Sequence, residues 1–115
     1  KSLFFSKYEL INFISSLETA FTIFDNDSFK KSLAIPGHKK VVNKPLFEAV
    51  SVCLAEISPI DRDMLINKKS QVINSFICLL ENESFDISIS KSTANTENVL
   101  TRFNMVRNTI NELLG

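Results

Sequence analysis

Tryptophan is absent from this chain, and histidine, tyrosine, glycine and cysteine nearly so: one His, one Tyr, two Gly and two Cys in 115 residues. Each shortage excludes a chemistry. A hydroxyl or thiol nucleophile needs a neighbouring base, and the one imidazole, His38, stands in a lysine-rich stretch that reads as a surface loop. With only Gly37 and Gly115, neither a phosphate-cradling loop nor a dinucleotide fingerprint can form, since both need closely spaced glycines. Cys53 and Cys78 have no second cysteine or histidine at the short spacing of a zinc site. Both fall in apolar runs and read as buried, reduced core residues; a disulfide would require that their two helices abut, against the cytosolic character of the chain.

Acid clusters add no chemistry. Asp61/Asp63 and Glu81/Glu83 fall at expected helix ends, where carboxylates complement an amino-terminal dipole or solvate a turn. Asp25 and Asp27 resemble the opening of a calcium loop, yet the glycine at its sixth position and the glutamate at its twelfth are missing. No cofactor, metal site or catalytic residue is therefore expected.

What is present is an ordinary globular composition: 44% apolar and 23% charged, with thirteen basic residues balancing thirteen acidic ones. A zero net charge removes any argument from overall charge for nucleic acid or anionic membrane. The apolar runs are far too short to span a bilayer and no cleavable signal pattern opens the chain, so a cytoplasmic protein without membrane contact is expected. The length suits one domain.

Helical periodicity dominates. Ser6-Lys7-Tyr8-Glu9 has capping-box spacing and predicts a helix from Lys7 to Phe24, with Leu10, Ile14, Leu17, Phe21 and Phe24 inward and Phe13 and Ala20 widening the stripe. Ser28 to Lys44 reads as mostly loop, turned by Pro36-Gly37. Asn43 or Lys44 before Pro45 opens a helix that is apolar nearly all round and forms the buried centre. Ser58-Pro59 opens a long helix to Leu80 with Lys68, Lys69 and Gln71 outward. Glu83 to Ser90 alternates like a strand but also carries Phe85 and Ile89 four apart; with no partner strand in view, a short helix is expected. Thr96 starts a last helix to Leu114, with Val99, Leu100, Phe103, Val106, Ile110 and Leu113 inward and Gly115 as its stop. The expected fold is all-α: a single helical bundle of four main helices plus one or two short ones.

Three stretches are candidate contact surfaces. Between Asp27 and Glu48 there is no acid, while Lys30, Lys31, Lys39, Lys40 and Lys44 make a basic patch that reads either as a solvated loop or as a contact for phosphate or an acidic partner. Lys91, Ser92 and Thr93, with the following helix amino terminus and Arg102 about two turns on, could jointly hold a phosphate. They equally suit a loop and cap, with Arg102 paired to an acid of the long helix. Phe4, Phe5 and Phe13, with the first-helix stripe, form a candidate docking surface.

The order of pieces from Asn43-Lys44-Pro45-Leu46-Phe47-Glu48-Ala49 through Leu54-Ala55-Glu56, Lys68-Lys69, Phe76, Leu79-Leu80, Phe85, the Ser90 to Thr93 hydroxyls and Val99-x-x-Arg102-Phe103 resembles the helical carboxy-terminal part of GmrSD-type restriction proteins. The resemblance covers roughly Phe24 to Leu114 and consists of packing and loop patterns. It implies a fragment of a larger bacterial defence protein, whose amino-terminal domain is ParB- and sulfiredoxin-like with an Asp-Gly-Gln-Gln-Arg motif. That nucleotide site and the His-Asn-His nuclease motif of some members are absent from this sequence, so no catalytic residue carries over. Nucleotide-dependent restriction would belong to the parent protein. This chain would pack on the missing domain and support DNA or partner contacts through Lys39, Lys40, Lys44 and Arg102; a stand-alone protein-interaction domain is the alternative.

Overall fold

A computed structural model describes residues 6–115; Phe4 and Phe5 of the expected docking surface lie outside them. Side-chain caps start every α-helix but the fourth. Ser6 accepts the Glu9 amide at 3.1 Å while its own amide donates to the Glu9 carboxylate at 3.0 Å, opening α1 (Lys7–Phe24). Asn43 accepts the Leu46 amide at 2.9 Å and Pro45 lies in the first turn of α2 (Lys44–Glu56). Ser58 accepts the Asp61 amide at the head of α3 (Pro59–Asn67), and α4 (Lys69–Glu81) follows after Lys68. Asn82 caps α5 (Glu83–Ser90) and Asn95 caps α6 (Thr96–Leu114).

The domain is therefore all-α, with six helices and no strand among the described residues. Between α1 and α2 the chain makes two short 3-10 turns and one antiparallel bridge, Lys30 to Val42. The short helix expected at Glu83 to Ser90 is present as α5.

The expected long helix from Pro59 to Leu80 is two. Lys68 leaves helical geometry (φ −103°, ψ 27°), its amide donates to the carbonyls of Met64 and Leu65, and its ammonium reaches the Leu113 carbonyl at 2.6 Å. Expected outward, Lys68 instead ties the α3/α4 joint to the end of α6, where a cation also complements the helix dipole. The break lets α4 change direction and pack on both α5 and α6.

Leu46, Ala49, Val50, Cys53 and Leu54 make α2 the centre of the core, as its all-round apolar pattern predicted. Around it pack Ala20, Ile23 and Phe24 of α1, Leu65 of α3, Val72, Phe76, Leu79 and Leu80 of α4, Phe85 and Ile89 of α5, and Val106 and Ile110 of α6. Phe24 and Phe76 meet edge to face at 5.1 Å.

Of the expected inward stripe of α1, Ala20 and Phe24 are buried and Leu17 packs against the core, but Leu10, Ile14 and Phe21 are turned outward and about half exposed. The buried face of the helix consists of Ser16, Thr19, Ala20, Ile23 and Phe24. Small side chains at positions 16 and 20 let α1 approach closely, and Ser16 returns its hydroxyl to the Phe13 carbonyl at 2.6 Å. Leu100 of α6, also expected inward, is exposed, and so is Cys78.

Asn43 joins two parts of the fold. Besides capping α2 it donates its side-chain amide to the Ile89 carbonyl at 3.0 Å, near the end of α5. Asn43→Ala should lower the unfolding free energy by about 2 kcal/mol, the upper range for a cap, because a buried cross-contact is lost as well. Urea unfolding followed by circular dichroism measures this, and Asn43→Ser, which keeps a cap acceptor and places no second acceptor against the Ile89 carbonyl, should recover about half.

Candidate functional site

The basic loop and the Ser90 to Thr93 segment do come together. Asn43 binds Ile89, Lys31 reaches the Ser90 hydroxyl at 2.6 Å, and Lys44, Pro45 and Glu48 share an open groove of about 380 Å³ with Thr93, Ala94, Val99 and Arg102. Lys39, Lys40, Lys44, Lys91 and Ser92 are exposed and Thr93 is half-buried. Ser92 holds φ +44°, a left-handed turn uncommon for serine, and Asn98 of α6 braces that turn by donating to the carbonyls of Lys91 and Ser92.

Arg102 lines the floor of this groove but is committed inward. It is 4% exposed and its guanidinium donates to the Ser88 carbonyl at 3.2 Å and the Thr93 carbonyl at 2.7 Å. A third contact, 3.3 Å, goes to the Glu48 carboxylate of α2, where an acid of the long helix was expected. The arginine thus holds the end of α5, the following loop and α2 together. Its Nη1 faces internal carbonyls, and Glu48 beside Nη2 puts a negative charge where a phosphate would sit. Further neutralisation runs along the edge, where Lys40 lies 3.6 Å from Asp27 and Lys31 lies 3.1 Å from Asp86; Lys30 keeps its charge and donates to the Asn26 carbonyl.

A second buried arginine was not foreseen. Arg62 of α3 donates to the Leu54 and Ile57 carbonyls at 3.0 and 2.8 Å, where α2 ends, and to the Asn12 side chain of α1 at 2.9 Å. Orphan carbonyls at the α2 terminus thereby gain a charged donor. The only local sign in the sequence was Arg62 following a helix start by one turn.

Chemically active groups are dispersed. Burial pushes the Cys53 thiol up to about 11, with Arg107 pulling it down and Glu56 pushing it up; at neutral pH it is a protonated core residue. His38 is exposed, with Nδ1 3.1 Å from the Lys39 carbonyl. Among the described residues no three His, Cys, Asp or Glu side chains gather as metal ligands.

The feature that sequence periodicity misassigned is the most distinctive surface of the fold. The buried residues of α1 define one face, and on the opposite face stand Lys7, Leu10, Ile11, Ile14, Glu18 and Phe21, all exposed. With Thr22, also exposed on this face, four of the seven are apolar, and Leu10, Ile11 and Ile14 are contiguous at helical spacing. From Phe21 a series of edge-on rings leads inward, Phe21 to Phe29 at 6.3 Å, Phe29 to Phe47 at 4.9 Å, Phe47 to Phe13 at 6.4 Å. Phe13, expected to be a docking residue, is half-buried against α2. Phe29 adopts φ +61° while 94% buried, a backbone cost held by its packing between two rings.

These observations define a six-helix domain organised around a buried central helix, with one outer helix apolar on both faces. Compared with protein families, curated proteins and solved structures, the chain matches none. Among the described residues no helix is long and apolar enough to cross a membrane.

Proposed function

We propose that this chain is a non-catalytic helical interaction module that contacts protein through the outer face of α1. The observation that carries the reading is the exposure of Leu10, Ile11, Ile14 and Phe21 on the side of α1 facing away from its own core. A helix that is apolar on both faces is characteristically sandwiched between neighbours, and among the described residues α1 has a neighbour on one side only. Protein contact is favoured over DNA because Arg102 is committed internally and Lys40 faces Asp27, so Lys39, Lys44 and Lys91 remain as the exposed lysines of that edge without an acid partner among the described residues. A role in defence against foreign DNA rests on the residue pattern that resembles restriction proteins, and the α1 face would then be where the module meets the rest of its parent.

A photo-crosslinking amino acid at Ile14, compared with one at exposed Asn104 of α6, tests the reading in cells expressing the chain within its natural protein. Position 14 should yield discrete protein adducts or an intramolecular crosslink to another domain, and position 104 should not. Equal or absent crosslinking at both positions would remove the proposal.

A further inference from the structure

The occupant of the α1 face can be read from its charge pattern, given that this face is a contact surface at all. Along its centre the exposed residues are Lys7, Ile11, Ile14 and Glu18, at steps of four, three and four. These steps place all four on one stripe. The spacing reads the same in both directions, while the charge at one end is opposite to that at the other. Neither Lys7 nor Glu18 forms an ion pair among the described residues.

We infer that the partner is a second copy of this chain, docked with the two α1 helices antiparallel about a two-fold axis between Ile11 and Ile14. In that register Lys7 meets Glu18 of the partner subunit and Ile11 meets Ile14 of the partner subunit, and symmetry makes each pairing twice. A parallel copy would instead set lysine against lysine and glutamate against glutamate. Leu10 and Phe21 flank the stripe on one side and widen the contact. One helix pair lies at the small end of specific interfaces, so association should be reversible, with a midpoint on the order of tens of micromolar.

Charge swapping tests the geometry. The unaltered chain, sedimented from low micromolar to near-millimolar concentration, should pass from monomer to dimer. Lys7→Glu and Glu18→Lys each convert two attractive contacts into two repulsive ones and should raise the dissociation constant about tenfold. The double variant Lys7→Glu/Glu18→Lys restores both pairs and should return it to near the original value. Both positions are solvent-exposed, and circular dichroism of each variant verifies that the fold persists. A chain that stays monomeric throughout overturns the inference, as does a dimer that the single reversals leave unmoved or that the double swap fails to restore. A monomer whose position 14 still crosslinks to another protein or domain would discard self-pairing and leave the interaction module standing.

Discussion

Phe85→Ala should lower the unfolding free energy by about 4 kcal/mol, the range for emptying a large aromatic site in a closed core. Phe85 is fully buried at 0% exposure, on the short helix α5, which packs against α4 and α6. An eight-residue helix has little stability of its own, so its place in the fold depends on this side chain and Ile89. Calorimetry or urea unfolding would measure the loss. Phe85→Leu, which fills most of the volume, should lose only about 1 to 2 kcal/mol. If alanine costs less than leucine is expected to, α5 is peripheral and its burial contributes little.

Arg102→Ala should cost about 3 kcal/mol, chiefly because the Ser88 and Thr93 carbonyls lose their charged donor. The ion pair with Glu48 adds little, since that carboxylate is 57% exposed. One term works the other way: the Arg102 Nε is buried without a hydrogen-bond partner among the described residues, and substitution relieves it. Arg102→Met preserves the packing of the stem and should recover about 1 kcal/mol of the loss, separating packing from hydrogen bonding. Were Arg102 instead a surface phosphate ligand, both variants would unfold like the parent chain. A domain of this size is stable by roughly 5–15 kcal/mol, so either alanine variant removes a large share.

Helix starts were legible because their chemistry is local. Ser6, Asn43 and Ser58 each accept an amide within one turn, and Pro45 and Pro59 remove an amide that would be unpaired, so a reading of adjacent residues finds them. The break at Lys68 was not legible: no glycine or proline marks it, and what stabilises it is the Leu113 carbonyl far along the chain. Orientation of α1 failed for a related reason. With apolar residues on both faces, periodicity permits more than one inward stripe, and the small Ser16 and Ala20 that allow close packing carry little hydrophobic signal. The lysines at 39, 40 and 44 stand at an exposed edge, whereas the commitment of Arg102 depends on the Ser88 and Thr93 carbonyls, which only the packing of α5 against α6 brings to its guanidinium. Surface lysines announce themselves by sequence; internal arginines are assigned only by what surrounds them.

Tyr8 gives the outer helix an optical property. The chain has no tryptophan, and this one tyrosine stands 72% exposed near the amino-terminal end of α1. Near-ultraviolet emission from the native molecule therefore comes chiefly from a single phenol near the face assigned to recognition, with the core contributing only the faint phenylalanine signal. Binding near that end of α1 can be followed through this phenol without introducing a label.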